Sequence, residues 1–303
     1  MKKWLFGGLV VLIVGVFILS QMGKLSREVR EQPLVENKEF SNPQAVVITG
    51  YSDTAMEPFI TRDGQYLFFN NSNDPKTNTN LYYAKRVSDT TFTYMGEVGG
   101  ANTKALEGVV SIDEVNNFYF VSTRSYEQTF NTLYRGMWKG GSVEGVSLLE
   151  GISRGKPYWL NMDAEISPDG SELYYVDNKF GNGGPPEVSD IFVAIKNADG
   201  SFTKTANSDE VFYSVNNGDL NYAPSISKNG LELYFTRAKV SEGLVQIYVS
   251  KRASKSDAFG MPELVSGADG FVEGPTLTSD GSRMYYHKKT GPDTYGIYVV
   301  IRP

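Results

Sequence analysis

The chain has 303 residues, 29 basic and 35 acidic, a net charge of −6, and is 40% hydrophobic and 13% aromatic. This composition fits a packed domain and argues against a nucleic-acid partner, because neutralising phosphates needs a basic surface. With no cysteine and a single histidine, His287, the sequence excludes disulfides, thiolate or multi-histidine metal sites and cysteine nucleophiles, leaving carboxylates, Tyr, Lys and Arg for chemistry.

Residues 4 to 20, WLFGGLVVLIVGVFILS, form an unbroken apolar run after Lys2 and Lys3, at the lower limit for a bilayer-spanning helix. Phe17-Ile18-Leu19-Ser20 lacks the small residues of a cleavage site. Residues 1 to 22 are therefore expected to be a transmembrane anchor or uncleaved signal, which implies a membrane-anchored protein of the cell envelope with its remainder in the periplasm or outside the cell. The polar residues 23 to 39 read as a solvated linker.

From residue 40 onward one phrase recurs: TRDGQYLFF (61 to 69), SPDGSELYY (167 to 175), SKNGLELYF (227 to 235) and TSDGSRMYY (278 to 286). SIDEVNNFYF (111 to 120) is a degenerate copy, whose turn reads as one residue longer and lacks the glycine. The turn markers fall at 63, 113, 169, 229 and 280, which makes five units of about 50 residues. In each, a short apolar strand enters a D-G turn, where glycine supplies positive φ. An aromatic second strand follows, then a third such as NLYYAKR, TLYRGMW, DIFVAIK, QIYVSKR or GIYVVIR, and an outer strand such as FTYMGEV or FGMPELV. Four antiparallel strands per unit, apolar on both faces, predict sheets stacked radially in an all-β, five-bladed β-propeller spanning residues 40 to 303. The fifth unit ends without its outer strand, and FSNPQAV (40 to 46) matches FGMPELV (259 to 265). Residues 40 to 49 are accordingly expected to close the ring as the outer strand of the last blade.

NYAPSISKNGLELYF and DAEISPDGSELYY resemble the TolB-like, WD-repeat-like propeller repeat of bacterial envelope proteins, in which S-P-D-G precedes the second strand. The resemblance implies an extracytoplasmic scaffold that binds an envelope protein or polysaccharide. Five blades rather than the six typical of TolB detach this chain from TolB's own partners.

The start of each first strand and the loop between strands two and three share one face of the disc. Six residues before each marker stand Glu57, Glu107, Asp163, Ala223 and Gly274, with Asn221 and Glu273 close by. This predicts an acidic collar around the central funnel. The loops of that face add Arg124, Tyr126, Lys179, Phe180, Arg237 and His287 as candidate ligand contacts, with Tyr126, Phe180 and Tyr295 as stacking platforms and His287 at an exposed strand end. Two readings follow: a membrane-tethered binding scaffold, or a glycoside hydrolase. The latter rests on a resemblance to five-bladed arabinanase-type enzymes, with Glu57, Glu107 and Asp163 as the acidic triad. No cofactor is required; calcium is conceivable on oxygen ligands, but no D-x-D-x-D-G loop supports it.

Overall fold

A computed structural model describes residues 28 to 74, 77 to 181 and 184 to 303, so the expected anchor, residues 1 to 22, lies outside the described residues. Five sheets are present, and they follow the five sequence units. Blade 1 runs from Met56–Ile60 through Tyr66–Asn70 and Leu81–Ser88 to Thr91–Glu97. Blade 2 comprises Glu107–Ile112, Asn117–Ser122, Leu133–Trp138 and Val143–Leu148. In blade 3 the first strand is split into Trp159–Leu160 and Ala164–Ile166, followed by Glu172–Lys179, Val188–Lys196 and a short Phe202–Lys204. Blade 4 is Leu220–Ile226, Glu232–Lys239, Leu244–Lys251 and Glu263–Val265. Blade 5 takes Val272–Leu277, Arg283–Lys289 and Tyr295–Ile301 from the carboxyl-terminal part of the chain.

Ring closure occurs through the amino-terminal segment. Ser41–Ala45 pairs antiparallel with the third strand of blade 5, Ser41 opposite Ile301 and Ala45 opposite Tyr298, and the Val46 N–H donates to the Ile297 carbonyl at 2.8 Å. The match of FSNPQAV to FGMPELV has a packing basis. Phe40 inserts between blades 4 and 5, 5.8 Å from the Tyr234 ring, as Phe259 inserts beside Phe212 between blades 3 and 4. The closing segment is shorter than expected. Val47–Thr49 leaves blade 5 and adds a parallel fifth strand to blade 1. Residues 28 to 39 are also engaged: Glu36–Asn37 pairs parallel with Glu263–Val265, the edge of blade 4.

Each D-G turn is tied by its own side chains. Thr61, Ser167, Ser227 and Thr278 donate their hydroxyls to Asp63, Asp169, Asn229 and Asp280 at 2.6 to 2.8 Å. Blade 2 departs from the expected register. Asp113 occupies the place of Thr61, since its N–H bonds to Asn117 O as that of Thr61 bonds to Tyr66 O. Its turn is thus one residue shorter than the others, and Asn116, with φ 68°, replaces the glycine. The aromatic second strands pack between blades: Phe68 meets Trp138 at 4.9 Å, edge to face, and Tyr119, Tyr174, Tyr234 and Tyr285 are fully enclosed.

Candidate functional site in the axial funnel

The first strands converge on the axis and four of them carry a bulge there. Register shifts fall between Met56 and Phe59, Gly108 and Val110, Tyr222 and Ser225, and Glu273 and Thr276. At each bulge one residue is left-handed: Glu57 (φ 48°), Val109 (50°), Ala223 (48°) and Gly274 (63°). Only glycine adopts this conformation freely, and three strained non-glycine residues at one place are a mark of a constrained site. Gly274 is also required by space, because a Cβ there would lie 2.9 Å from Glu57 Oε2 and 3.1 Å from His287 Nδ1.

The shortened turn of blade 2 corrects the collar. The structural counterpart of Glu57 and Asp163 in blade 2 is Val109, and Glu107 lies two residues earlier, at the height of Asn161 and Asn221. Glu107 is fully enclosed and receives four donors: Arg124 Nη2 at 3.1 Å, Ser122 Oγ and Thr103 Oγ1 at 2.7 Å, and the Thr103 N–H at 2.9 Å. Asn221 likewise accepts from Arg237 Nε at 2.8 Å, and Asn161 donates to Asp177, which pairs with Arg154. These polar sets lock the upper ends of blades 2, 3 and 4.

The axial group is therefore Glu57 from blade 1, Asp163 from blade 3 and Glu273 from blade 5, with Tyr222 of blade 4 at the same register position as Glu273. Their exposures are 4%, 2% and 0% for the three carboxylates. The Asn73 amide donates to Glu57 Oε1 at 3.0 Å and Tyr222 Oη to Glu273 Oε1 at 2.5 Å. His287 connects blades 5 and 1. Its Nδ1 accepts from the Glu57 N–H at 3.2 Å, which leaves the proton of the neutral ring on Nε2, facing Glu273 Oε2 at 3.1 Å. No arginine or lysine among the described residues forms an ion pair with these three carboxylates. One oxygen of Asp163, Oδ1, has no hydrogen-bond partner. Glu57 and Asp163 line a cavity of about 30 Å³ together with Val109, Glu165, Ala223 and Gly274. Beyond it, Arg62 of blade 1 reaches Glu165 of blade 3 at 3.0 Å and also donates to Ile166 O, joining the two blades across the axis.

Burial dominates the proton affinities. It pushes Glu57 up to about 7, opposed by His287 and Asn73 and reinforced by Asp163 and Glu273. Asp163 is likewise pushed up to about 7. Glu273 goes to about 8, burial outweighing the Tyr222 hydroxyl and the more distant Lys289. The same burial lowers His287 and holds Tyr222 well above its ordinary value. The site can hold and exchange protons near neutrality.

The remaining sequence candidates divide. Tyr126 and Phe180 are not platforms: both are buried core residues, and Tyr126 Oη donates to Trp159 O at 3.2 Å. His287 is fully enclosed rather than at the surface, because its strand continues to Lys289. Arg124 and Arg237 are spent on Glu107 and Asn221, and Lys179 pairs with Glu187 at 2.7 Å on the rim. Tyr295 is partly exposed, 5.6 Å from the His287 ring. Tyr222, Asn73, Glu165 and Arg62 were not singled out from sequence. The Pro after the left-handed position, in MEPFI, NYAPSI and EGPTL, is the signal that would have marked the bulge. Among the described residues no group of three or more His, Asp or Glu is arranged to hold a metal.

No protein-family model and no curated protein matches this chain. In fold it is similar to a family 117 glycoside hydrolase of the marine bacterium Zobellia galactanivorans (TM-score 0.58, 11% identity, 88% of this chain and 91% of that one). It is also similar to the catalytic domain of an alpha-L-arabinofuranosidase from Coprinopsis cinerea (TM-score 0.54, 11% identity, 89% and 98%). TolB from Acinetobacter baumannii matches at a TM-score of 0.44 and 13% identity, over 82% of this chain and 54% of TolB. At such identities the likeness is one of architecture, and function has to be argued from the site.

Proposed function

We propose that this propeller is a membrane-tethered, extracytoplasmic binding module that docks an envelope protein or polysaccharide on its funnel face. The observation that carries this reading is the withdrawal of Glu57, Asp163 and Glu273 from solvent around a cavity of about 30 Å³. Such a space admits a water or two, not a sugar ring. A glycosidase needs its acid and base to flank the scissile bond with room for substrate and water. Here the carboxylates sit below a face that a partner can cover but not enter.

The hydrolase reading keeps one observation in its favour: Glu57 and Asp163, both raised to about 7, line one cavity with an oxygen of Asp163 unsatisfied. Incubating the full chain with a panel of envelope and plant polysaccharides, read for both retention and release of reducing ends, separates the two. Retention without release is the expected result. Release that disappears in Asp163→Asn would replace the binding module by a hydrolase, and neither retention nor release assigns the face to a protein partner.

A further inference from the structure

The third strands carry a repeated aromatic whose surroundings differ in one blade. NLYYAKR, TLYRGMW, DIFVAIK, QIYVSKR and GIYVVIR place Tyr82, Tyr134, Phe192, Tyr248 and Tyr298 at the same position. Each stands opposite an aromatic residue of its second strand and packs on it, with ring centres 5.6 to 6.1 Å apart. In four blades a cation of the chain itself lies over the ring: Arg124 is 4.8 Å from Tyr134, Lys204 3.7 Å from Phe192, Arg237 5.0 Å from Tyr248 and Lys288 5.5 Å from Tyr298. In blades 2 to 4 that cation also faces a carboxylate, Glu107 at 3.1 Å, Asp209 at 2.9 Å and Asp219 at 4.0 Å. Ring and acid hold the cation from two sides.

Blade 1 has the ring and the acids without the cation. Among the described residues no lysine or arginine lies over Tyr82. Tyr51 and Tyr94 lean against it at 52° and 48°, so three half-buried rings form an open wedge at the funnel-face end of the blade. Glu97 stands opposite Tyr82 in the ladder, and Asp53 lies on the segment that leads from Tyr51 into the first strand; both are exposed. Asp53 accepts from the neighbouring Thr54 N–H at 2.8 Å and Glu97 from Asn102 Nδ2 at 3.5 Å, and neither forms an ion pair among the described residues. Burial first, and then the charges of Glu97 and Asp53, hold the Tyr82 hydroxyl above its ordinary value, so both carboxylates act on this ring. Asn80, two residues earlier on the same face of the strand and 6% exposed, bonds to the Tyr82 hydroxyl, and its Oδ1 has no hydrogen-bond partner.

An aromatic ring with two carboxylates and an unmet acceptor beside it is what the other blades would present with their cation taken away. A cation–π contact at an exposed site changes an affinity only about two- to fivefold, too little to retain a free amine, so the cation has to arrive on a larger partner that covers the rim. Arginine suits the place, because a guanidinium stacks flat on a tyrosine and forks onto a carboxylate. We propose that the rim of blade 1 receives an arginine side chain of a partner protein, seated over the Tyr82 ring and against Asp53 and Glu97. This rests on the binding-module reading and narrows it, from an envelope protein or polysaccharide to a protein that presents a basic segment to the funnel face.

The test is calorimetric titration of the full chain with hexa-arginine, hexaglutamate and a chitosan oligosaccharide. Hexa-arginine is expected to bind and the other two are not. Tyr82→Leu, and the pair Asp53→Asn with Glu97→Gln, should each weaken it by about fivefold or more, whereas Tyr82→Phe, which keeps the ring, should cost less than about twofold. The pair Asp199→Asn with Asp257→Asn, exposed on the opposite face, removes the same charge and should change nothing, which separates the site from the general pull of a chain with a net charge of −6. Thermal melts accompany each variant, and the exposed Asp53 and Glu97 pair carries the test should Tyr82→Leu melt early. Hexa-arginine binding that survives the rim substitutions, or falls as far in the control pair, overturns the site but leaves the binding module to the polysaccharide-retention experiment. A chain that binds no hexa-arginine overturns the site in the same way, and chitosan bound through Tyr82 in its place overturns the protein partner in favour of an amino glycan.

Discussion

The upper end of blade 2 and the axis of the ring each bury carboxylates, and they treat them in opposite ways. Glu107 is met by Arg124, Ser122 and Thr103, four donors around one fully enclosed group. Glu57, Asp163 and Glu273, at equal depth, receive amide, hydroxyl and imidazole groups but no ion-paired cation among the described residues. A paired buried charge is a structural lock. Buried acids left without a counter-charge instead raise their pKa and keep their protons, as the values of about 7 to 8 at the axis record. The difference separates residues that hold the blades from residues available to function.

The comparison breaks most easily at Arg124. Arg124→Met strands the Glu107 carboxylate in a closed site, and stability should fall by roughly 3–5 kcal/mol in urea unfolding. A loss below about 1 kcal/mol would mean that Glu107 is not locked by charge. The axial trio should reveal itself through pH. Its folded-state pKa values lie above the ordinary 3.8 to 4.5, so the folded protein binds more protons than the unfolded chain, and stability drops as pH rises from about 5 to 8. Each of the three carboxylates contributes a loss on the order of 2–3 kcal/mol over that range. His287, kept neutral by burial, acts in the other sense below its ordinary 6.5. Asp169 and Asp280, held down to about 2, contribute stability that is lost only in more acid solution. Glu273→Gln should flatten the slope between pH 5 and 8 in thermal melts; an unchanged slope would assign it to other groups. The smallest effect sharpens the contrast. Val109→Gly relieves a left-handed valine at a bulge without a carboxylate, so it should move stability by less than about 1 kcal/mol and equally at both pH values.

Architecture was legible in the sequence because the turn chemistry is written out in four of five units, each side chain tying its own hairpin. Closure was legible for a similar reason: Phe40 and Phe259 do the same packing. The site was only half legible. Counting from Asp113 misplaced blade 2, since one aspartate there takes the position of Thr61 and accepts the N–H groups of Val115 and Asn117 itself. The slip promoted Glu107 to the axis and hid Val109. Glu57 and Asp163 were found because their turns have the common length. Tyr126 and Phe180 misled because loop aromatics in sequence can still be core in space, and here the loops fold back over blade 3. Burial of His287 was invisible because it depends on Gly274 of a neighbouring strand leaving room for it.

The segment from residue 36 to residue 49 touches three blades in succession, adding to blade 4, completing blade 5 and edging blade 1. During synthesis it leaves the ribosome long before its partner Tyr295–Ile301 exists. Blade 5 must wait for translation to reach that strand, and until then the ring stays open with two unpaired edges. Blades 2 and 3 can form as they emerge, so biogenesis ends with a slow, long-range annealing step.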